Sequence, residues 1–514
     1  MGLGLGTVSP LNLGCVAYSA PGGVDAIPTD AEASMSEPSF FRSLVRRKPL
    51  DQIMAEAANS PLKKTLGLWH LTALGIGGIL GVGIFSLAGL VARGGDGVPG
   101  VGPAVLFSFL IAGLASAAAA LSYAEFTGMV PRAGSAYTYG YVALGELVGW
   151  FIGWDLLLEY VAVAAVVSIG VAGYFQAFLG GVGVDMPIWL TSTVDEGKGG
   201  FINLPAIIVC LVVTWILSRG ARAFGRFELI AVGIKVLLVL GIVGLGAFFI
   251  NTDNYDPFMP NGFSSVITGA ATVFFAVFGY DAMSTAAEEA KDGPKHMPRA
   301  IVLSLGIALV LYIGASLVLT GMQNYADIDT RAGFASAFNS VGLKNVATIL
   351  SIFAVVSIIT VVLTFLLGVT RVWFSMSRDG LLPRWFAHTD KRGVPNRVTW
   401  IAGCAAAFLA GVFPIREVAE LTNIGILAAF VVVCIAVIVF RYTRPDAERA
   451  FRLPLMPVIP AFGVLASGFL IWQLDDLTKL RFLIWLVIGL AVYFGYSRRH
   501  SLLNPNSPRH RIPE

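Results

Sequence analysis

The sequence predicts an all-α integral membrane protein with twelve transmembrane helices. Of its 514 residues, 56% are hydrophobic and only 13% are charged, and the mean hydropathy is +0.77. Soluble domains carry about 25% charged residues, so this balance indicates a chain that lies mostly in a bilayer. Apolar runs long enough to cross a bilayer recur along almost the whole length. We predict spans at about 67–92, 103–128, 138–179, 201–218, 227–250, 263–290, 300–322, 345–370, 398–414, 419–440, 454–474 and 482–497.

The basic residues predict the orientation of these spans. Lys and Arg concentrate in alternate loops, with dense runs at residues 371–397 and 441–452. Loops of this kind face the cytoplasm. An even number of spans then places both termini in the cytoplasm, and we expect a multi-pass protein of the plasma membrane. Because the basic residues follow this alternation, the lipid bilayer is the expected environment and no nucleic-acid partner is expected.

Three regions are predicted along the chain. Residues 1–65 form a cytoplasmic N-terminal tail. Its Gly-, Pro- and Ala-rich part at 1–34 is expected to be disordered, or to follow from a wrongly chosen start codon. Residues 66–440 form a ten-helix core, and residues 441–514 add two transmembrane helices and a cytoplasmic C-terminal tail.

The sequence carries no signature of nucleotide-driven or hydrolytic chemistry. It contains no Walker A loop, HExxH or GxSxG motif. Its four cysteines show neither disulfide nor metal-ligand spacing. We therefore expect no enzymatic activity, no metal and no cofactor.

Two hydrophobic segments are broken by glycine and polar residues at corresponding places in two halves of the core. They are GIGGILGVGIF at 75–85 and FFAVFGYDAMSTAAEE at 274–289. A helix broken inside lipid frees backbone groups that only protein, a cavity or a solute can satisfy. Paired breaks of this kind indicate the binding site of a secondary transporter. The alternative is that these glycines serve close helix packing.

Six stretches of the sequence are specific enough to carry a family resemblance. They are WHLTALGIGGILGVGIF, GPAVLFSFLIAGLASAAAALSYAEF, PRAGSAYTYGYVALGELVGWFIGWDLLLEY, FGYDAMSTAAEEAKDGPKHMPRAI, TRVWFSMSRDGLLPRWFA and NIGILAAFVVVCIAVIVFRYTRPD. Together they resemble the amino acid–polyamine–organocation superfamily, most closely its cationic amino acid transporter subfamily and bacterial relatives. The resemblance covers about residues 40–500. It implies a leucine-transporter-like fold of five-plus-five inverted repeats, with helices 1 and 6 interrupted.

The resemblance also implies where an amino acid would bind. An α-amino acid carries a carboxylate and an ammonium, and the ends of interrupted helices match both. The carboxylate is expected on a cradle of backbone N–H groups, which we call the carboxylate cradle: Ile79, Gly81, Val82 and Gly83. The ammonium is expected on the carbonyl groups of Phe275, Ala276 and Phe278. Relatives usually carry Thr or Ser at position 82, so Val82 keeps the backbone donor and removes a hydroxyl.

Three of the acidic residues in the predicted spans are candidates for the site. Glu159 lies deep in the third span, where an ionisable residue indicates a functional site by default. Relatives carry a glutamate here near the substrate, and a structural carboxylate is the alternative. Asp155 lies one turn earlier and can share the role of Glu159. Asp281 follows the second break and is expected to cap the helix after it.

Two phenylalanines are expected to set the size of the substrate. By the resemblance, Phe278 and Phe365 approach the pocket for the substrate side chain. If they face it, they narrow it and favour a small or medium neutral substrate. The alternative is that both rings are core aromatics that face other helices.

Lys235 is the basic residue that lies within a predicted span. Sodium-coupled proteins of the implied fold hold an ion between spans one and eight, and the relatives place a span-five lysine there instead. The ammonium of Lys235 is expected to reach carbonyl groups freed in span one, near Gly78 and Gly81. Burial disfavours the charged form of an amine, so this lysine is the expected proton-coupling residue. The alternative is snorkelling of the side chain to the membrane interface.

These features lead to one functional expectation and two alternatives. We expect a secondary active transporter that imports amino acids, here neutral ones, in symport with protons and by alternating access. Within transport, the alternative is a carrier of Arg and Lys or an amino acid exchanger. A membrane channel is the alternative of another class. A channel needs a continuous polar path, whereas these spans are mostly apolar.

Overall fold

The described part of the chain is almost entirely helical. The computed structural model describes residues 44–49, 64, 66–95, 98–130, 134–193, 199–219, 224–390 and 394–507, and the segment 1–34 lies outside these ranges. Apolar segments fold as helices in a bilayer because a helix satisfies its own backbone hydrogen bonds. In chain order from Leu68, the α-helices are α1 (Leu68–Ile79), α2 (Ala88–Arg93), α3 (Val105–Met129), α4 (Ser135–Ala143), α5 (Glu146–Gly181), α6 (Ile188–Thr191), α7 (Leu204–Ser218), α8 (Phe224–Gly246), α9 (Gly262–Val273), α10 (Tyr280–Ser284), α11 (Gly293–Met322), α12 (Gly333–Ser340), α13 (Lys344–Arg378), α14 (Asn396–Val412), α15 (Ile415–Thr443), α16 (Val458–Gln473), α17 (Asp476–Val492) and α18 (Arg498–His500). The strands β1 (Gly94–Gly95) and β2 (Val98–Pro99) form a small antiparallel pair after α2.

Within the described ranges, nine helical stretches are long and apolar enough to cross a membrane. The prediction of an all-helical protein is confirmed. Three predicted spans, at about 201–218, 398–414 and 454–474, correspond to α7, α14 and α16, which have 15, 17 and 16 residues. Crossing a bilayer takes about 20 residues. The count of twelve spans and the inverted repeat therefore stay predictions.

Two long helices correspond to the third and eighth predicted spans. The helix α5 has 36 residues and α13 has 35, and both are longer than an ordinary span. The third predicted span is wrong at its start, because α4 and α5 are separate helices. Gly145 lies between them with a φ angle of +116°. A residue with a side chain rarely adopts this conformation, so the glycine allows the turn.

The helices α5 and α13 pack along one another, and α3 packs along α11. A pair of tryptophans attaches α17 to α5. The rings of Trp154 and Trp485 stack at 4.5 Å between centroids. Each indole N–H donates to the backbone carbonyl of the other residue, at 2.9 and 3.1 Å. A buried indole N–H needs such a partner, so this reciprocal pair aligns the two helices.

Both described ends of the chain contact the same ends of α5 and α13. Lys48 Nζ lies 2.9 Å from Asp379 Oδ1, just after α13. The Ser501 hydroxyl donates to Oε2 of Glu146, the first residue of α5, at 2.6 Å. The backbone N–H of Leu502 donates to the carbonyl of Asp379 at 3.1 Å. These contacts join segments from the two ends of the chain to the central pair of helices.

A buried carboxylate joins α3 to the loop that follows α15. Glu125 is fully buried and accepts hydrogen bonds from both Arg441 and Arg449. It also accepts a 2.8 Å bond from the backbone N–H of Leu453. The charge of Glu125 is therefore compensated by two guanidinium groups and one backbone donor. This cluster joins α3 to the end of α15 and to the loop that follows it.

Replacing Glu125 with alanine is expected to destabilise the protein by about 3–5 kcal/mol, because two guanidinium groups lose a buried counter-charge. Thermal unfolding of the detergent-purified protein measures the effect. Lys295→Ala is the matched control. Its partner Asp292 lies 3.4 Å away in an exposed pair, which is worth about 0–1 kcal/mol. Equal melting temperatures for the two variants would contradict a stabilising role for the cluster.

Candidate functional site

Both predicted breaks interrupt helices in the structure. The helix α1 ends at Ile79, Leu80 turns the backbone to an extended conformation, and a π-helical turn follows at Gly83–Leu87 before α2. The helix α9 continues as a 3₁₀ turn at Phe274–Val277. Phe278 is then extended, and Gly279, with a φ angle of +115°, precedes α10. Each break therefore frees backbone groups inside a buried segment.

The two interrupted segments cross with their backbones in contact. A Cβ atom added at Gly78 would lie 2.9 Å from the carbonyl oxygen of Gly279. A Cβ added at Gly279 would lie 2.6 Å from the carbonyl carbon of Gly78. No side chain fits at either position. The glycines thus serve close packing and also bring the two breaks to one point.

The residues predicted for the carboxylate and those predicted for the ammonium lie side by side. A Cβ added at Gly83 would overlap the Ala276 methyl group and would lie 2.8 Å from the Ala276 Cα. The predicted residues that have side chains are all buried: Ile79, Val82, Phe275, Ala276 and Phe278. A solute held by both sets would therefore bridge the two breaks.

The Val82 side chain points away from the carboxylate cradle. It packs against Gly170 of α5, where even a single Cβ atom would overlap it. The N–H of Val82 lies at the start of the π-helical turn. The aliphatic side chain of Val82 therefore leaves its own backbone N–H at the break unobstructed.

Tyr312, which is not among the predicted site residues, lies at the first break. Its hydroxyl donates to the carbonyl of Ile79 at 2.7 Å. Ile79 ends α1, so its carbonyl has lost the helical partner that this hydroxyl replaces. In the sequence, the feature that points to this residue is a polar hydroxyl within the apolar predicted span 300–322. The partner at residue 79 is 233 positions away and depends on the packing of α11 against α1.

The ammonium of Lys235 also reaches the first break. Its Nζ donates to the carbonyl of Gly77 at 2.9 Å and to Oγ1 of Thr360, on α13, at 3.2 Å. The carbonyl lies one residue before Gly78, the nearer of the two expected positions. Lys235 is fully buried, so its side chain does not snorkel in this structure. The lysine ties α8 to α1 and α13.

Three buried carboxyl groups, one of them directly after the second break, form a group. Glu159 interacts electrostatically with Asp155 and Asp281. Within the described ranges, no hydrogen-bond partner meets either carboxylate oxygen of Asp155, Oε2 of Glu159 or Oδ1 of Asp281. Buried carboxylates without partners are costly. A proton or another cation among these groups would compensate their charge.

Asp281 has a different partner from the one predicted. It lies in the first turn of α10, where the helix dipole favours a carboxylate, but α10 has no side-chain cap. Its Oδ2 instead accepts a 2.6 Å hydrogen bond from the hydroxyl of Tyr160. Tyr160 follows Glu159 on α5 and is also absent from the predicted site. The two residues connect α5 to the second break.

The predicted aromatic residues contact one another beside the second break. The ring of Phe278 lies 5.4 Å from those of both Phe275 and Phe365, between centroids. The ring of Phe365 also meets that of Tyr160 edge to face at 5.4 Å. Phe365, which lies on α13, is therefore part of the cluster that contains the Tyr160–Asp281 bond. The rings form a buried apolar cluster next to the second break.

Similarity to known proteins identifies the family of this chain. A family model described as "Amino acid permease" matches residues 66–500. The chain is 44% identical to the methylthioribose transporter of Bacillus subtilis over 466 residues, 90% of this chain and 99% of that protein. It is also 44% identical to the branched-chain amino acid permease BcaP of the same organism over 469 residues, with the same shares covered. The vacuolar cationic amino acid transporter 4 of Arabidopsis thaliana is 33% identical, over 79% of this chain and 68% of that protein.

Two interrupted helices that cross in the buried centre of an all-helical fold are typical of secondary transporters. The chain belongs to the amino acid permease family. This confirms the predicted resemblance. The relatives are transporters and permeases, which confirms that the chain is not an enzyme.

Proposed function

We propose that the protein imports neutral amino acids across the plasma membrane, in symport with protons. Twelve spans in two inverted repeats would alternate access around the crossing of the interrupted helices. The observation that carries the proposal is that crossing. Gly83 of the carboxylate cradle lies directly against Ala276 of the ammonium set. One solute that carries both charged groups can therefore contact both breaks.

The aromatic cluster supports a neutral side chain. Phe278 and Phe365 are buried rings in mutual contact, and they leave an apolar surface beside the breaks. A relative with 44% identity is named a branched-chain amino acid permease. Leucine, isoleucine and valine match this chemistry.

The acidic residues keep a cationic substrate as the alternative. Glu159 and Asp281 carry carboxylate oxygens without partners in the described structure, and relatives include cationic amino acid transporters. A lysine or arginine side chain would supply a positive charge to them. The aromatic rings stand against this, because they narrow the space that a long side chain needs.

A thermal-shift scan of the detergent-purified protein tests the proposal. A ligand that binds the native state raises the melting temperature. At a concentration 100 times its Kd it adds about 2.7 kcal/mol to the free energy of unfolding. We expect leucine, isoleucine or valine to give the largest shift among the common amino acids. Methylthioribose belongs in the same scan, because an equally similar relative carries its name. A shift with methylthioribose and with no amino acid would overturn the proposal.

Shortening Phe365 is expected to widen the substrate range. Phe365→Val removes a ring from the aromatic cluster, so longer side chains should gain relative affinity by about tenfold, since each lost clash is worth about 1–3 kcal/mol. Competition against labelled leucine uptake measures the ranking. The change creates no partner for a positive charge, so any gain for Arg or Lys depends on Glu159 and Asp281.

Phe353→Val is the matched control for this prediction. Phe353 lies on the same helix but is 44% exposed on its outer surface. It should keep the parent ranking of substrates. If Phe365→Val also keeps the parent ranking of substrates, the ring of Phe365 does not line the substrate pocket.

A further inference from the structure

We propose that the hydroxyl of Tyr312 is the side-chain group that selects substrates with a free carboxylate. The inference rests on the proposed function and deepens it. It assigns to Tyr312 a side-chain hydroxyl donor at a break where Val82, an aliphatic residue, supplies none. The chemical class that it selects is an α-amino acid with an unblocked carboxyl group.

The Tyr312 hydroxyl lies against three members of the carboxylate cradle. It donates to the carbonyl of Ile79 at 2.7 Å. The backbone N–H of Gly81 approaches the same oxygen. A Cβ added at Gly83 would lie 3.2 Å from it. A carboxylate held by the N–H groups of Gly81 and Gly83 would therefore lie within hydrogen-bond distance of this hydroxyl.

Val82 supplies no side-chain donor to the cradle. The Val82 side chain is turned toward Gly170 of α5, so even a hydroxyl at this position would face away from the cradle in this conformation. Tyr312 enters from α11, on the other side of the break. Its hydroxyl donates to the backbone of the cradle at Ile79.

Packing holds the Tyr312 ring in place. The side chain is fully buried. Its ring stacks on Phe109 of α3 with 5.0 Å between centroids and 8° between planes. A stacked ring between two packed helices keeps its hydroxyl at one position and loses little further freedom on binding. Such preorganisation favours affinity because less ordering remains to be done.

The acceptor of the Tyr312 hydrogen bond can change without moving the ring. In this structure the hydroxyl donates to a neutral carbonyl, that of Ile79. A carboxylate is a stronger acceptor, since charge-assisted hydrogen bonds are shorter and stronger than neutral ones. Rotation of the O–H bond alone would redirect the donor to the substrate. A carboxamide in the same place is neutral and gains less from the hydroxyl.

The test uses Tyr312→Phe and two probes, leucine and leucinamide, which differ only at the carboxyl group. Binding of each is measured on the purified protein. We expect the preference for leucine over leucinamide to fall by about tenfold or more, the range for a lost hydrogen bond to a charged group. A general distortion of the site would weaken both probes equally and leave the ratio unchanged. An unchanged ratio would therefore overturn the inference.

Tyr174→Phe is the matched control. Tyr174 is also fully buried, and its hydroxyl donates at 2.6 Å to the carbonyl of Phe85, in the π-helical turn of the same interrupted segment. This variant should keep the wild-type ratio. An equal fall in Tyr174→Phe would assign the effect to loosening of the segment and would overturn the inference.

A second variant tests the inference if Tyr312→Phe does not fold. Phe109→Leu keeps the hydroxyl and removes the ring that holds it, so the leucine preference should fall relative to the wild-type protein. If it does not fall at all, the inference is overturned. Failure of the proposed function looks different. In that case the wild-type protein would bind neither leucine nor any other amino acid in the thermal-shift scan.

Discussion

Replacing Lys235 with alanine is expected to abolish proton-driven accumulation of substrate while leaving substrate binding measurable. The ammonium of Lys235 ties α8 to the Gly77 carbonyl of α1 and to Thr360 of α13. Burial disfavours the charged form of an amine, and the two hydrogen bonds favour it. A conformational change that removed these acceptors would release the proton, and re-formation of the contacts would take one up. Lys235 would in this way couple proton movement to the position of α1.

Uptake into proteoliposomes under an imposed pH gradient measures the effect. The alanine variant should equilibrate substrate without concentrating it. Lys235→Arg should also fail to accumulate substrate, because a guanidinium keeps its proton. Lys295→Ala, which removes an exposed lysine, is the control and should accumulate substrate normally. Sodium-dependent wild-type uptake that ignores the pH gradient would contradict this role, as would accumulation by the alanine variant.

Replacing Gly83 with leucine is expected to abolish uptake. The resemblance places Gly83 in the carboxylate cradle, and any side chain there meets Ala276 of the other interrupted segment. The variant would therefore force the two breaks apart as well as fill the place of the carboxylate. Such separation acts on both halves of the site at once. Transport and leucine binding are measured together with thermal unfolding, which reports whether the fold survives.

A pair of compensating substitutions tests whether the loss of uptake results from the overlap of residues 83 and 276. Gly83→Ala alone should impair uptake, because its methyl group overlaps that of Ala276. The double variant Gly83→Ala with Ala276→Gly removes one of the two overlapping groups and should recover part of the activity. Recovery is expected to be incomplete, since the Ala276 Cα and the Tyr312 hydroxyl stay close. Normal leucine affinity in Gly83→Leu would contradict the prediction that the substrate carboxylate binds at residues 79–83.

The helix breaks were predictable because their signals are local. Glycines and polar residues inside an apolar run mark a place where a helix cannot continue unchanged. The two breaks occur where 75–85 and 274–289 predict them. Lys235 was conspicuous for a similar reason, because a charge within an apolar span is costly. The sequence predicts a carbonyl partner for its ammonium near Gly78 and Gly81, and the structure has the carbonyl of Gly77. The exact residue depends on where α1 ends, which the sequence does not define.

The boundaries of ordinary spans were less predictable. The third predicted span, 138–179, merges two helices that Gly145 separates. Apolar residues continue through this turn, so hydropathy alone does not register it. The decisive feature is a backbone conformation, which glycine permits and does not require.

The all-helical class, the two breaks and the family resemblance thus came from the chain alone, because hydropathy and local motifs carry them. The partners of the buried polar groups came only from tertiary packing. Tyr312 meets Ile79, Tyr160 meets Asp281, and Glu125 meets Arg441 across 233, 121 and 316 positions. In a membrane span nearly every face is apolar, so the periodicity that marks the buried side of a soluble helix is weak. Which polar side chain faces which break is therefore decided when the helices pack, since only then does burial give each donor and acceptor its partner.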